Sequence, residues 1–330
     1  MKHIIFGGDG FLGTELTRLL ADAGEQVLIC DEKKSEQFGN YDREGVTYLK
    51  MDVRDKTTFS PIEVGADDVV YHFAARLLVP ILPRAERKDY FWEALYTGTE
   101  NVLEWMQQNN LKKMVYYTTD MVYGHTLEDP RTEEHPCAPL GPYGDAKYQT
   151  EKLVDTYRGK GFNITLFRPR LIIGHGRLGI LEKLFKLVDM NLPVPTIGSG
   201  RNYYQFISVT DCARACLAAV EKGMPNENYN LGSSNPPTVN VLLKSLITEA
   251  GSRSFTIPTP AFLVKWVLGA FDVIGKPIMD PEQYLIADET CVLDCSKAKR
   301  QLGWEPLDDD TSMLLVAYRD YKAGKSRPIE

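Results

Sequence analysis

A short apolar run, Lys2-His-Ile-Ile-Phe6, passes without a spacer into Gly7-Gly-Asp-Gly10-Phe-Leu-Gly13, and helical periodicity continues from Phe11 to Ala23. Few chains can be built on such a start. Gly7, Gly10 and Gly13 suit a backbone that turns tightly and lies close to a diphosphate, whose charge then rests on the helix N-terminus opened by Phe11 and Leu12. Any strand–helix turn can carry glycines. The dinucleotide reading gains weight from a second strand, Gln26–Cys30, that ends in Asp31.

Asp31 stands where a carboxylate accepts hydrogen bonds from the adenosine ribose and repels a 2′-phosphate, which favours NAD; Lys33 and Lys34 blunt that preference and leave NADP open. Val46–Lys50 reads as a third strand, with Asp52-Val53 beyond it at the adenine edge. A fourth strand, Asp68–Phe73, closes on Ala74 and Ala75, small residues over which a cofactor can pass. Asp89–Gln108 reads as a helix, Lys113–Thr118 as a strand leading into Thr119, and Asn163–Arg168 as a sixth strand before Pro169, a further cofactor contact. Strands alternating with helices of this length predict an α/β fold, a Rossmann doubly wound parallel sheet.

Pro193, Pro195, Gly198 and Gly200 mark a break. Val209–Glu221 (helix), Tyr229–Leu231 (strand) and Val239–Ala250 (helix) follow. The expected division is a dinucleotide-binding domain over 1–173, rejoined by 198–232, and a smaller C-terminal substrate lobe from 174–197 and 233–330.

Tyr143 and Lys147 sit four residues apart at the start of a predicted helix over 142–158, which places phenol and ammonium on one face. A free tyrosine, with a pKa of about 10, is a poor base at neutral pH; a neighbouring ammonium draws that value down. Thr119 can bond the same substrate oxygen, so Thr119, Tyr143 and Lys147 form a set that moves a proton on or off an alcohol or ketone oxygen. Alone, the Tyr–Lys spacing is more often a solvated helix face.

The 330 residues carry a net charge of −7, which argues against nucleic acid as a partner. Six cysteines are scattered without a CxxC pair, so no metal site is expected and buried small side chains are the simpler reading. The first strand begins at residue 2 and no apolar run reaches membrane-spanning length, so the expected location is cytoplasmic.

Taken in order, GGDGFLG, Asp31, Asp52-Val53, His72-Phe-Ala-Ala75, TTDMVYG, YGDAK, FRP, Ile207-Ser-Val-Thr-Asp211, Tyr229-Asn-Leu-Gly232 and Leu302-Gly-Trp-Glu-Pro306 resemble the extended short-chain dehydrogenase/reductase superfamily over nearly the whole chain. The group includes nucleotide-sugar epimerases and dehydratases and 3β-hydroxysteroid dehydrogenases. The resemblance implies NAD(P)-dependent oxidoreductase activity, with Tyr143 as acid/base, Lys147 as its modulator and ribose ligand, and Thr119 as hydroxyl contact. It also implies a homodimer through the 89–108 and 143–158 helices.

The departures bear on the substrate. The dehydratases carry Thr-Asp-Glu where this chain has Thr119-Asp120-Met121, and a thioether cannot abstract a proton, so a 4,6-dehydratase is not expected. The family's Arg-Asp-Phe, whose arginine clamps a diphosphate, reads Tyr204-Gln205-Phe206; Arg201 lies three residues earlier. Asp120, Met121, Arg201 and Tyr204 are the candidate substrate contacts. The apolar stretch Pro260–Gly275 packs as a buried lobe helix, lines a lipid pocket or meets a membrane surface. The balance leans to a ketoreductase of a bulky apolar alcohol such as a sterol or sphingoid lipid. A nucleotide-sugar 4-epimerase is the alternative, and a non-catalytic NAD sensor ranks third.

Overall fold

The computed structural model describes residues 1–35, 39–78, 81–175 and 181–325; part of the second lobe's expected first segment, 176–180, lies outside them. The first half runs β1 (Lys2–Phe6), α1 (Phe11–Asp22), β2 (Gln26–Asp31), β3 (Val46–Lys50), β4 (Val69–His72), α2 (Arg84–Trp92), α3 (Gly98–Gln108), β5 (Lys113–Tyr117), α4 (Pro142–Gly159) and β6 (Asn163–Pro169). Then follow β7 (Leu171–Ile173), α5 (Leu181–Asp189), β8 (Val194–Ile197), β9 (Phe206–Ser208), α6 (Val209–Glu221), β10 (Asn228–Leu231), α7 (Val239–Glu249) and β11 (Thr256–Thr259). The chain closes with α8 (Ala261–Val273), α9 (Pro281–Tyr284), α10 (Ser296–Leu302) and α11 (Asp310–Lys322).

Seven parallel strands form one sheet in the order β10-β6-β5-β4-β1-β2-β3. The order reverses between β1 and β4, and ligands of doubly wound sheets bind outside the strand ends at such a point. Both faces are covered, which is why the strands read as continuous apolar runs. Leu12, Leu16 and Leu20 of α1 and Cys212, Ala215 and Ala219 of α6 pack on one face, and Val102, Leu103 and Met106 of α3 with Val154 of α4 on the other. A separate cluster joins Phe185 and Val188 of α5, Leu242 and Leu246 of α7, and Leu314 and Tyr318 of α11.

The helix expected over 89–108 begins earlier, at Arg84, and is divided by a π-helical turn at Glu93–Thr97. Where α3 resumes, a Cβ on Gly98 would stand 2.8 Å from Val53 Cγ2, so the glycine lets this helix close on the loop after β3.

The apolar stretch at 260–275 is not core. Within α8 only Asp272 is buried, held by Arg87 of α2 at 2.5 Å. Phe262 is 77% exposed, Trp266 71% and Val273 75%. No helix among the described residues is long and apolar enough to cross a membrane.

Candidate active site

The glycine turn is packed so closely that no other residue fits. A Cβ on Gly7, whose φ is +80°, would lie 2.5 Å from the Ala74 nitrogen; one on Gly13 would lie 2.4 Å from the Gly7 carbonyl oxygen. α1 then starts at a Gly10 N-cap with no side-chain cap, and a helix N-terminus is where a diphosphate is favourably received. In front of them opens a cavity of about 290 Å³ lined by Gly7, Gly10, Asp31, Asp52, Val53, Ala74 and Ala75 among others. A cradle that any Cβ would fill, an uncapped helix start and a carboxylate at the end of β2 fit a dinucleotide.

Asp31 accepts the Asp9 N–H on Oδ2 (3.0 Å) and the Lys33 N–H on Oδ1 (3.3 Å), and burial pushes its carboxyl up to about 6. Lys33 lines the cavity, while the Lys34 ammonium rests over the Tyr41 ring at 4.8 Å. Asp9 orders this wall by accepting the Ser35 N–H (3.0 Å), the Ser35 hydroxyl (2.6 Å) and the Tyr41 hydroxyl. Asp52 is gripped by Arg54, with contacts of 2.6 and 2.8 Å, which hold its carboxyl below the ordinary range. Arg54, Arg76, Ser35 and Asp9 all line the cavity and escaped the sequence reading. Spacing alone does not reveal them, since each reaches the cavity from a loop. Pro169 ends β6 opposite Leu231 and is absent from the cavity wall.

The reacting end lies where β5 meets α4. Lys147 is buried; its ammonium donates to the Tyr117 carbonyl at 2.8 Å and stands 3.5 Å from the Tyr116 hydroxyl. Burial lowers its pKa to about 7, against a smaller opposing pull from Glu151. One turn earlier Tyr143 packs edge-on to Phe91, ring centroids 5.4 Å apart, in a cluster with Leu95 and Ala146 that Met121 adjoins. Thr119, buried, accepts the Met121 N–H at 3.2 Å, a bond that uses its oxygen and not its hydroxyl hydrogen.

The candidate substrate contacts divide. Asp120 is buried, with Oδ2 2.5 Å from Arg170 Nη1 and 3.1 Å from Arg131 Nη2, so its carboxylate is committed to two guanidinium groups. Tyr204 is half-buried with the Arg170 guanidinium 5.2 Å from its ring centre. Gln205, at the middle position of the family's Arg-Asp-Phe, is fully buried and bonds the Ser233 carbonyl and the Leu293 N–H. Arg201 is exposed. Among the described residues no three of His, Cys, Asp or Glu stand together as metal ligands.

A doubly wound sheet with a glycine cradle at its switch point, and a tyrosine–lysine turn over the neighbouring strand end, defines a dinucleotide-dependent oxidoreductase. The chain belongs to the NAD dependent epimerase/dehydratase family, whose family model matches residues 3–232. It is 30% identical to a UDP-glucose 4-epimerase of Halalkalibacterium halodurans, covering 93% of this chain and 91% of that one. It is 29% identical to the uncharacterized protein y4nG of Sinorhizobium fredii, over 98% and 79% of the two chains. In three dimensions it is similar to the crystal structure of a UDP-glucose 4-epimerase with UDP-glucose from Thermotoga maritima, with a TM-score of 0.77, 24% identity, and 98% and 99% of the chains covered. The cofactor is NAD.

Two expectations follow. If Asp31, which lines the cavity, accepts from the adenosine ribose as expected, Asp31→Ala lowers NAD affinity about 10- to 150-fold and moves the preference towards NADP, as titration with both cofactors will read. A wild type that already prefers NADP contradicts the assignment. The second concerns Lys147. Its folded pKa is lowered to about 7, against about 10.4 unfolded, so between those values the folded chain holds fewer protons than the unfolded one. This group therefore adds stability as pH rises from about 7 towards 10, and the addition is absent below pH 7. Melting temperatures of wild type and Lys147→Met should diverge over that window, the wild type gaining; parallel curves contradict the burial account.

Proposed function

We propose that the protein oxidises one secondary alcohol of a nucleotide sugar to the ketone and reduces it again on the other face, as a 4-epimerase does. NAD, held by the glycine turn and Asp31, would supply the hydride acceptor and donor. Tyr143, as phenolate, takes the hydroxyl proton as the carbon loses its hydride, and returns it when the hydride comes back. The charge on Lys147 favours the phenolate form of Tyr143 and its ammonium reaches the ribose, and Thr119 donates to the same substrate oxygen. Burial costs Lys147 part of its charge before cofactor arrives, so on this reading ribose hydroxyls that accept from the ammonium restore the charged form.

The observation that carries the reading is the turn after β5. Water elimination needs a free acid–base pair there; this chain offers the Met121 thioether and an Asp120 bound by two arginines. Reversible hydride transfer at the alcohol needs neither. The relatives' names point the same way, and none of those given above is that of a sterol or sphingoid enzyme. Arg201, exposed beside the break before β9, is the residue assigned to the diphosphate.

One observation favours a lipid contact instead. Residues 253–279 expose Phe255, Phe262, Trp266, Phe271, Val273 and Ile274, and their charges are Arg253, Lys265, Lys276 and the buried Asp272. Lys265 is paired with Asp288 at 2.5 Å, so Arg253 and Lys276 are the cations that, beside the exposed aromatic side chains, suit an anionic lipid surface. Sedimentation with phosphatidylglycerol-containing vesicles, lost in Phe262→Gln with Trp266→Gln, supports it; no sedimentation of the wild type removes it.

Tyr143→Phe should lower kcat about 10²- to 10⁴-fold with NAD affinity nearly unchanged. UDP-glucose should bind saturably, and Arg201→Ala should raise its KM. Retention of more than about a tenth of the rate in Tyr143→Phe would assign the proton transfer to another group.

A further inference from the structure

The helix that carries Tyr143 begins badly for a helix of its own making. Its N-cap is Gly141, which has no side chain to offer, and Pro142 at the first position has no N–H. The first free donors are the N–H groups of Tyr143 and Gly144. Both go to one side chain from far along the sequence: Tyr143 N–H to Glu282 Oε1 at 2.7 Å, and Gly144 N–H to Glu282 Oε2 at 2.8 Å.

The glycines on either side are shaped to this carboxylate. A Cβ on Gly141 would lie 2.6 Å from Glu282 Cγ, and one on Gly144 2.7 Å from Glu282 Oε2. Glu282 itself is 2% exposed on α9, and its N–H donates to the α9 cap Asp280 at 3.0 Å. Arg87 of α2 ties the assembly together, 3.6 Å from Asp280 and 2.5 Å from Asp272 of α8, while its Nε donates to the Leu82 carbonyl at 2.9 Å. The same α2 presents Phe91 to the Tyr143 ring. Burial pushes the Glu282 carboxyl up to about 7 against the pull of the Gly144 N–H, so placing it there has a cost. An interior carboxylate with its two oxygens on two backbone donors of one helical turn is a cap supplied from outside the helix.

We infer that Glu282 is a positioning residue, a cap lent by the C-terminal part of the chain that fixes the turn of α4 carrying Tyr143, one turn before Lys147. The inference rests on the reading of Tyr143 as the proton-transfer group. Without the cap two N–H groups of the first turn lose the carboxylate that accepts from them, and the phenol shifts relative to Lys147, one turn further on. Misplacement of a reacting group by about 1 Å can cost on the order of a hundredfold in rate.

The test compares three variants of the NAD-loaded protein by kcat, KM, NAD affinity and melting temperature. Glu282→Ala should lower kcat about tenfold or more, with KM and NAD affinity within about twofold, since Glu282 lies outside the cofactor cavity. Gly141→Ser alone should also be slow, because its Cβ meets the carboxylate. Combining Gly141→Ser with Glu282→Ala should recover most of the rate: the clash is gone, and a serine at the N-cap accepts from the N–H groups two and three residues on, those of Tyr143 and Gly144. A structural role alone would not predict that two damaging changes mend each other. Full kcat in Glu282→Ala overturns the inference, as does a loss that Gly141→Ser leaves unrepaired. If Glu282→Ala does not fold, the same-sized Glu282→Gln decides, since it turns one acceptor into a donor against an N–H; unchanged kcat there overturns the inference too. Tyr143→Phe separates the two readings: full activity in it defeats the role of Tyr143, whereas an inactive Tyr143→Phe beside a fully active Glu282→Ala defeats only the cap.

Discussion

The ammonium of Lys147 is buried where β5 meets α4, with the Tyr117 carbonyl as its near acceptor, and the surroundings answer to that charge. Removing an ammonium from water is costly, so the group is either paired or driven towards neutrality. Glu151, one turn further along α4, draws its proton affinity up, but Glu151 is itself clamped by Arg168 at 2.6 and 3.0 Å and by the Thr118 hydroxyl at 2.6 Å. Arg168 in turn reaches the Tyr123 hydroxyl, which donates to Asn230 of β10. The lysine thus keeps a charge balance poised near neutrality, and a line of satisfied polar groups crosses from α4 to the sheet edge behind it. A lysine in that state responds to whatever enters in front of it, which suits the role proposed for it beside Tyr143.

Much of this could be read before any coordinates. Gly7, Gly10 and Gly13 announce the cradle: a Cβ on Gly10 or Gly13 would crowd the Gly7 carbonyl, a local constraint, while one on Gly7 would meet Ala74 beyond β4. Asp31 and the four-residue step from Tyr143 to Lys147 are likewise short-range patterns that the structure places at strand and helix ends. What escaped was long-range. Asp120 looked like a substrate contact from its neighbours in the chain, yet Arg131 and Arg170 bind it across the fold. Glu282 lies 138 residues from Gly144, and nothing near it in sequence marks it. The one available signal was negative: a strong helix opening on Gly141-Pro142, without Ser, Thr, Asp or Asn, has to find its cap elsewhere.

The stretch at 260–275 shows a different limit. Composition makes an apolar helix look like core, because burial is the ordinary fate of Trp and Phe. Here the tertiary anchor is polar: Asp272 goes inward to Arg87, and the aromatic side chains are left outside. The same segment leads directly into Asp280 and Glu282. One continuous piece of the chain therefore offers an apolar face to the outside and a carboxylate to the helix of Tyr143.

If the proposed epimerisation holds, hydride passes reversibly between bound NAD and one alcohol carbon, and that carbon's hydrogen never exchanges with water. Incubating the NAD-loaded protein with UDP-glucose in heavy water and locating deuterium in the recovered sugar nucleotide decides the matter. An inverted carbon that keeps its original hydrogen and carries no solvent deuterium is expected. Deuterium at the inverted carbon, or net accumulation of reduced cofactor without inversion, would refute the mechanism.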